Sequence, residues 1–338
     1  MILKSKQLTN RRVDEREFDI SVVIPAYNAE SSIGATIESV LNQTWPVSEI
    51  IVVNDGSTDR TADVVRGFES RVTLLEQVNQ GVSAARNYGT QHASTDWIAY
   101  LDSDDVWLPE KLERQVNLLR KNKDVNWCAT RYYQCVGNAK TISKFSIPVA
   151  TEPELSGELI HALESIASHI NIWVSTVLIR KSVLDLVGGF HTSLSSTADN
   201  DLWFRVGKVE SEIAFVNFPL ALYMVDPNGM SRSETKKISP ARFEFFERLA
   251  QHIEDASVTN RPIFERIFDR YAGQYMFNLA RTGNYEASRT LLQWIQEKNF
   301  RLPSWKYRWI HWMPTYLTGW LRSVLRATAR NNGQSKAT

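Results

Sequence analysis

"DISVVIPAYN", residues 19–28, is a β-branched, apolar run that reaches Pro25 and opens on the small polar group Ala26–Tyr27–Asn28. A strand with no polar face must be covered on both sides, as in a parallel sheet flanked by helices. The following residues agree. "SSIGATIESVLNQT" spaces Ile33, Ile37, Val40 and Leu41 at helical intervals behind serines suited to capping. "EIIVVND" is a second buried strand, and Val64, Val65 and Phe68 mark one face of a second helix. "RVTLLEQV" reads as a third strand, "VSAARNYGTQHA" as a helix and "DWIAYL" as a fourth strand. Strand–helix alternation of this kind builds βαβ units on a parallel sheet.

Such sheets hold ligands beyond the carboxyl ends of their strands. Three polar clusters fall there: Ala26–Tyr27–Asn28, Asn54–Asp55–Gly56 and Asp102–Ser103–Asp104–Asp105. Right-handed crossovers would gather them on one rim. The last cluster crowds three carboxylates into four positions, "DSDD", where they repel unless a hard divalent cation lies between them and a phosphate. A solvated turn before the helix "PEKLERQVNLLRK", with Pro109 in its first turn and Leu112, Val116 and Leu119 as its buried stripe, is the competing explanation. A calcium loop is excluded by Val106 and by Trp107, which stands where glycine is needed.

Composition bounds the function. The 338 residues are 43% hydrophobic and 23% charged with net charge +1, which argues against a nucleic-acid binder. Cys128 and Cys135 have neither the spacing nor the histidine neighbours of a metal or disulfide framework. With no signal-like start and no apolar stretch of about 20 residues, a cytoplasmic protein is expected. Residues 1–17 read as a mobile arm and 18–235 as the α/β domain, with further strands in "WVSTVLIRK" and "EIAFVNFPLALYMV". Residues 236–338 read as helical, with a hairpin turning at Gly283–Asn284. The segment 299–338 holds seven Lys/Arg, no acid and four of the eleven Trp. Within it Leu317, Trp320, Leu321, Val324 and Leu325 share a helical face, with Arg322, Arg326 and Arg330 on another. This pattern over 303–330 suits either an interfacial helix on anionic inner-membrane lipids or a helix packed on the domain.

"SVVIPAYN", "EIIVVNDGSTD", "NQGVSAARNYG", "WIAYLDSDD", "VGGFHTSLSSTADNDLWFR" and "YMVDPNGMSRS" occur in that order. Together they resemble the family 2 inverting glycosyltransferases of GT-A fold, over roughly residues 18–235. The resemblance implies a Rossmann-like, mostly parallel sheet flanked by helices, a nucleotide-diphosphosugar donor and a glycan or lipid-linked acceptor. It implies that Pro25, Ala26 and Ser103 line the donor, that Tyr27 stacks on the base and that Asp55 accepts the base N–H. Asp102 would touch the ribose, Arg86 the phosphates, and Asp104 a divalent cation, Mn2+ or Mg2+. Asp199 would be the general base, kept ionised by the positive end of the following helix; Asp201 is the weaker candidate. For Asp55, Arg86 and Asp199 a purely structural role competes: a turn cap, a surface salt bridge and a helix cap. The chain departs from the family pattern at Asn54, at Ala198 (usually Glu), at Met224 (usually Arg) and at Asp226 (usually His). It lacks the Q-x-x-R-W element of processive synthases, so one-sugar transfer is expected, to a hydroxyl and with a UDP-sugar preferred. Two rivals stay open: a sugar-nucleotide pyrophosphorylase, disfavoured because "PAYNAESS" has no glycine, and a nucleotide-sugar binder of the same fold that has lost turnover.

Overall fold

The computed structural model describes residues 17–136, 157–168, 170–194, 197–225, 240–282 and 284–298. The arm before Glu17, Asp226 and the basic tail lie outside them. The chain divides into two compact units, Met1–Pro227 and Asn228–Thr338.

In the first unit β1 (Ile20–Ala26), β2 (Glu49–Asp55), β3 (Thr73–Gln77) and β4 (Trp97–Tyr100) pair in parallel in the order β3-β2-β1-β4. Every residue of β1 and β4 is buried, as expected for strands covered on both faces. The crossovers are α1 (Ile33–Leu41), α2 (Thr61–Arg66) and α3 (Val82–His92). Ile33, Ile37 and Val40 face the core, whereas Leu41 is half-buried. Ser32 occupies the start of α1 without capping it; its hydroxyl donates to the Ala29 carbonyl instead, at 3.4 Å. Phe68 lies past the end of α2. Helix α3 rides unusually low on the sheet: a Cβ at Gly89 would stand 2.5 Å from Val23 Cγ1 and 3.1 Å from Val53 Cγ2.

Beyond β4 the pairing changes. The same sheet continues as β8 (Leu178–Arg180), β6 (Trp127–Val136), β9 (Glu212–Val225) and β5 (Val106–Trp107), with β7 (Gly157–His161) also on β9. Only the β6–β9 pair is parallel here; β4–β8, β6–β8, β5–β9 and β7–β9 are antiparallel. The expected strand "WVSTVLIRK" is shorter than its apolar pattern suggests. Val174–Thr176 is a turn of 3-10 helix, closed by the Thr176 hydroxyl donating to the Trp173 carbonyl at 2.6 Å, and the strand begins at Leu178. Pro109 precedes α4 (Lys111–Lys121) and its start residue Glu110, so it lies outside the first turn; Leu112, Val116 and Leu119 are buried as expected.

The remaining helices of the first unit are α5 (Ala162–Ala167), α6 (Lys181–Val187) and α7 (Ala198–Val209). Gly188 and Gly189, both at positive φ, end α6. At Gly189, φ +66, a side chain would also strike Asn87 Oδ1 at 2.7 Å. That contact matters because Asn87 grips this turn from α3: its amide donates to the Phe190 carbonyl and its Oδ1 accepts from the Phe190 N–H, both at 2.8 Å.

In the second unit the described residues form α8 (Pro240–Glu254), α9 (Arg261–Thr282) and α10 (Tyr285–Glu297). The hairpin forms where expected: Asn284 caps α10 by accepting from the Ala287 N–H at 3.3 Å. Phe245, Phe246, Phe264, Phe268 and Leu291 are among its buried apolar residues. Among the described residues no helix is long and apolar enough to cross a membrane.

Candidate active site

The carboxyl ends of the parallel strands do converge, and hydrogen bonds show how. After β1, Asn28 adopts a left-handed conformation (φ 49), which asparagine tolerates. Its N–H donates to Ser57 Oγ at 3.0 Å and its Oδ1 accepts from the Thr58 N–H at 2.8 Å. The first two polar clusters are therefore laced together. Pro25 and Ala26 are buried, while Tyr27 projects with 51% of its surface exposed, an aromatic ring standing open on the rim.

After β2 the tasks of the two polar residues divide. Asn54 Oδ1 closes the local turn by accepting from the Ser57 N–H at 3.1 Å. Asp55, buried, reaches the loop before α3: Oδ1 accepts from Gln77 Nε2 and the Gln80 N–H, and Oδ2 from the Gly81 N–H, each at 2.8 Å. Asp55 thus anchors the entry to α3 rather than its own turn. Each carboxylate oxygen has two lone pairs, so Oδ2 retains acceptor capacity.

Arg86, on α3, is buried and not a surface residue. Its Nη2 meets Asp102 Oδ1 at 2.5 Å and its guanidinium lies over the Phe190 ring, 5.2 Å from the centroid. Its Nε has no hydrogen-bond acceptor among the described residues. Phe190 is the residue clamped by Asn87, so one helix holds both the guanidinium and the ring beneath it.

The acidic loop separates its carboxylates by environment. Asp102 is partly exposed and paired with Arg86, and its N–H donates to Ser175 Oγ at 3.1 Å. Asp104 is exposed. Asp105 is fully buried: Oδ2 accepts from Trp173 Nε1 at 2.8 Å and Ser175 Oγ at 2.5 Å, and Oδ1 from the Met224 N–H at 3.1 Å. Burial, with the neighbouring Asp104 and Asp102 carboxylates, pushes the Asp105 carboxyl upward. From the other side Thr36 Oγ1 lies 2.9 Å from the carbonyls of both Ser103 and Asp105, so α1 braces the loop. Among the described residues no three His, Cys, Asp or Glu side chains are grouped to hold a metal. A site of one or two carboxylates completed by substrate phosphates is the usual arrangement for Mg2+, and the exposed Asp104 beside Asp102 fits it.

Asp199 sits in the first turn of α7, not before it. It is half-buried, and its Oδ1 accepts from the Asn200 N–H at 2.9 Å. Loss of water raises its pKa to about 6, the Arg86 charge lowering it less and Asp102 raising it again, so at neutral pH the carboxylate form still prevails. Asp199 therefore feels both members of the Arg86–Asp102 pair. Asp201 is structural. It is buried and bound by Arg205, 2.9 Å from Nε and 2.8 Å from Nη2. The guanidinium also donates to the carbonyls of Val187 at 2.5 Å and Gly189 at 2.7 Å, closing the end of α6. Ala198, buried, leaves no carboxylate at its position.

Comparison with known proteins agrees with this architecture. The chain is similar to S. aureus TarS 1-349 in complex with UDP-GlcNAc, at TM-score 0.55 and 16% identity, covering 87% of this chain and 90% of that one. At that identity the likeness concerns the fold, which is GT-A with a helical extension. Residues 21–187 match the model "Glycosyl transferase family 2", and this part of the chain belongs to that family. It is 29% identical over 226 residues, 66% of this chain and 83% of the relative, to the E. coli "UDP-Glc:alpha-D-GlcNAc-diphosphoundecaprenol beta-1,3-glucosyltransferase WfgD". It is 32% identical over 197 residues to an uncharacterized glycosyltransferase of Rickettsia typhi, spanning 59% of that relative's length.

Proposed function

We propose that the chain transfers one sugar, with inversion, from a nucleotide diphosphosugar, preferably a UDP-sugar, to a hydroxyl of a glycan or lipid-linked acceptor. The observation that carries this reading is the electrostatic group at the rim: Asp199, near pKa 6, beside the Arg86–Asp102 pair of the acidic loop. A base with a pKa close to working pH is ionised at rest yet basic enough to accept a proton in the transition state. Arg86 supplies positive charge for a diphosphate, Tyr27 a face for the base and Asp55 Oδ2 an acceptor for its N–H. Family membership, the activity named for WfgD and the UDP-GlcNAc of the TarS complex support the donor class.

Asp104, with Asp102, would hold Mn2+ or Mg2+. That cation would neutralise charge on the departing diphosphate. Positioning the acceptor hydroxyl against the donor anomeric carbon falls to the protein, and supplies much of the barrier reduction. The test is incubation of the full chain with UDP-glucose or UDP-GlcNAc and a GlcNAc-diphosphoryl lipid, reading the product mass and its anomeric configuration. Retained configuration would overturn the inverting assignment. Full-rate transfer after EDTA treatment would remove the cation. Donor cleavage without acceptor separates an enzyme from a binder that has lost turnover. For the tail, residues 303–330 are read as docking on anionic lipids at a membrane face; equal flotation with liposomes of the chain with and without residues 303–338 would exclude this.

A further inference from the structure

Tyr132 on β6, Trp173 before the 3-10 turn and Tyr223 on β9 form an aromatic group that the reading above does not use. The Trp173 and Tyr223 centroids are 4.2 Å apart; Tyr132 lies 6.3 Å from Trp173 and 6.2 Å from Tyr223. All three rings are half-buried, unlike the core tryptophans Trp97, Trp127 and Trp203, whose exposure is 0–1%. Polar ends of the group are held by the surrounding loops. Trp173 Nε1 donates to Asp105, and Tyr132 Oη accepts from Asn171 Nδ2 at 3.2 Å.

The group is wired to both sides of the candidate site. Ser175, two residues after Trp173, bonds the Asp105 carboxylate and the Asp102 N–H. Ile172, one residue before it, accepts at 3.1 Å from Trp203 Nε1 on α7, the helix that carries Asp199. The proposed base platform, Tyr27, lies at the end of β1, and β4 and β8 separate β1 from β6. Three strand spacings amount to about 14 Å, so one ring system cannot use both platforms.

We propose that Tyr132, Trp173 and Tyr223 form the subsite on which a pyranose ring of the acceptor stacks; this rests on the transferase reading. Aromatic faces with pinned polar tips suit a sugar, which offers one face of C–H groups and an edge of hydroxyls. Tyr132 Oη and the exposed Asn171 amide supply partners for that edge. Sharing Asp105 and α7 with the acidic loop and Asp199, the platform places the acceptor where its hydroxyl meets the base.

The test is saturation-transfer NMR on the full chain with saturating UDP, using methyl α-D-glucoside, methyl α-D-galactoside and methyl α-D-N-acetylglucosaminide as probes. At least one should show saturation concentrated on the protons of one ring face. Tyr223→Leu and Tyr132→Leu should each reduce it at least fivefold, with UDP affinity within twofold, and Tyr223→Phe should retain it. The wild-type pattern decides even if a leucine variant does not fold. Saturation of no probe, uniform saturation, an equal loss in Tyr223→Phe or a parallel fall in UDP affinity would each overturn the platform. A chain that bound a glycoside on one face but not UDP would overturn the transferase reading and leave the platform standing.

Discussion

The sheet has two halves built on different principles. From β3 to β4 every neighbouring pair is parallel, and β1, β2 and β3 each lead into a helix. From β8 to β5 the pairs are mostly antiparallel and the order bears little relation to the chain. The first half assembles from local crossovers and carries Tyr27, Asp55 and Arg86. The second depends on bonds across long sequence separations, such as Met224 N–H to Asp105. It carries the aromatic platform, while α7, bonded to the Ile172 carbonyl, carries Asp199. On the proposed function this difference becomes a division of labour: the parallel half would grip the donor, and the mixed half would determine what happens to it.

That division can be broken by experiment. Asp199→Asn should lower turnover by about 10²–10⁴-fold while UDP affinity stays within a few-fold, measured by steady-state kinetics and calorimetry. In the parent, kcat/KM should fall on acidification through about pH 6, where the raised carboxyl takes up its proton. The stability sign is opposite to that of a salt-bridged acid. A folded pKa above the unfolded one costs stability above pH 6, and the cost vanishes below the unfolded value near 4. Asp199→Asn should therefore melt a few degrees higher at pH 8 and converge with the parent near pH 4.

Asp105→Asn turns an acceptor into a donor facing either the Met224 N–H or Trp173 Nε1 and Ser175 Oγ. It should cost about 2–4 kcal/mol in urea unfolding and misplace the platform, although Asp105 itself touches neither substrate. Arg86→Lys, in the parallel half, loses the planar contact with Phe190 and should weaken donor binding about tenfold, with turnover at saturation affected less. Tyr27→Ala should have the smallest effect, raising the donor KM several-fold with no change in melting temperature, because the ring is half exposed. Equal losses of donor affinity across all four variants would erase the distinction between the halves.

The parallel half is readable because its rule is local: short apolar runs alternating with helical patterns mark strands covered on both faces, with the half-exposed β3 at the edge. All four of its strands, its three crossovers and the meeting of its polar ends follow from that. The mixed half hides its logic in single distant bonds. Ser175 and Thr176 sit in a β-branched run, but their hydroxyls serve Asp105 and the Trp173 carbonyl, so the segment turns where its pattern says strand. Asp105 reads as one more charge in an acidic turn, and only the fold reveals that it is buried. For Asp199 the helix-end electrostatics are visible in sequence, whereas the dehydration that raises its carboxyl is not. The arrangement of Tyr132, Trp173 and Tyr223 unites three remote segments, and no spacing announces it.

The intimacy of α3 with the sheet at Gly89 has a consequence for the chain's mutability. Arg86 is less than one turn away on the same rigid rod, so whatever lifts position 89 from Val23 and Val53 also lifts the guanidinium. A hydrophobic core usually accepts some drift in volume; this part of it sets the height of a charge. Variants randomised at Val23, Val53 and Gly89 and selected for donor capture should therefore form a narrower set than those selected for solubility alone.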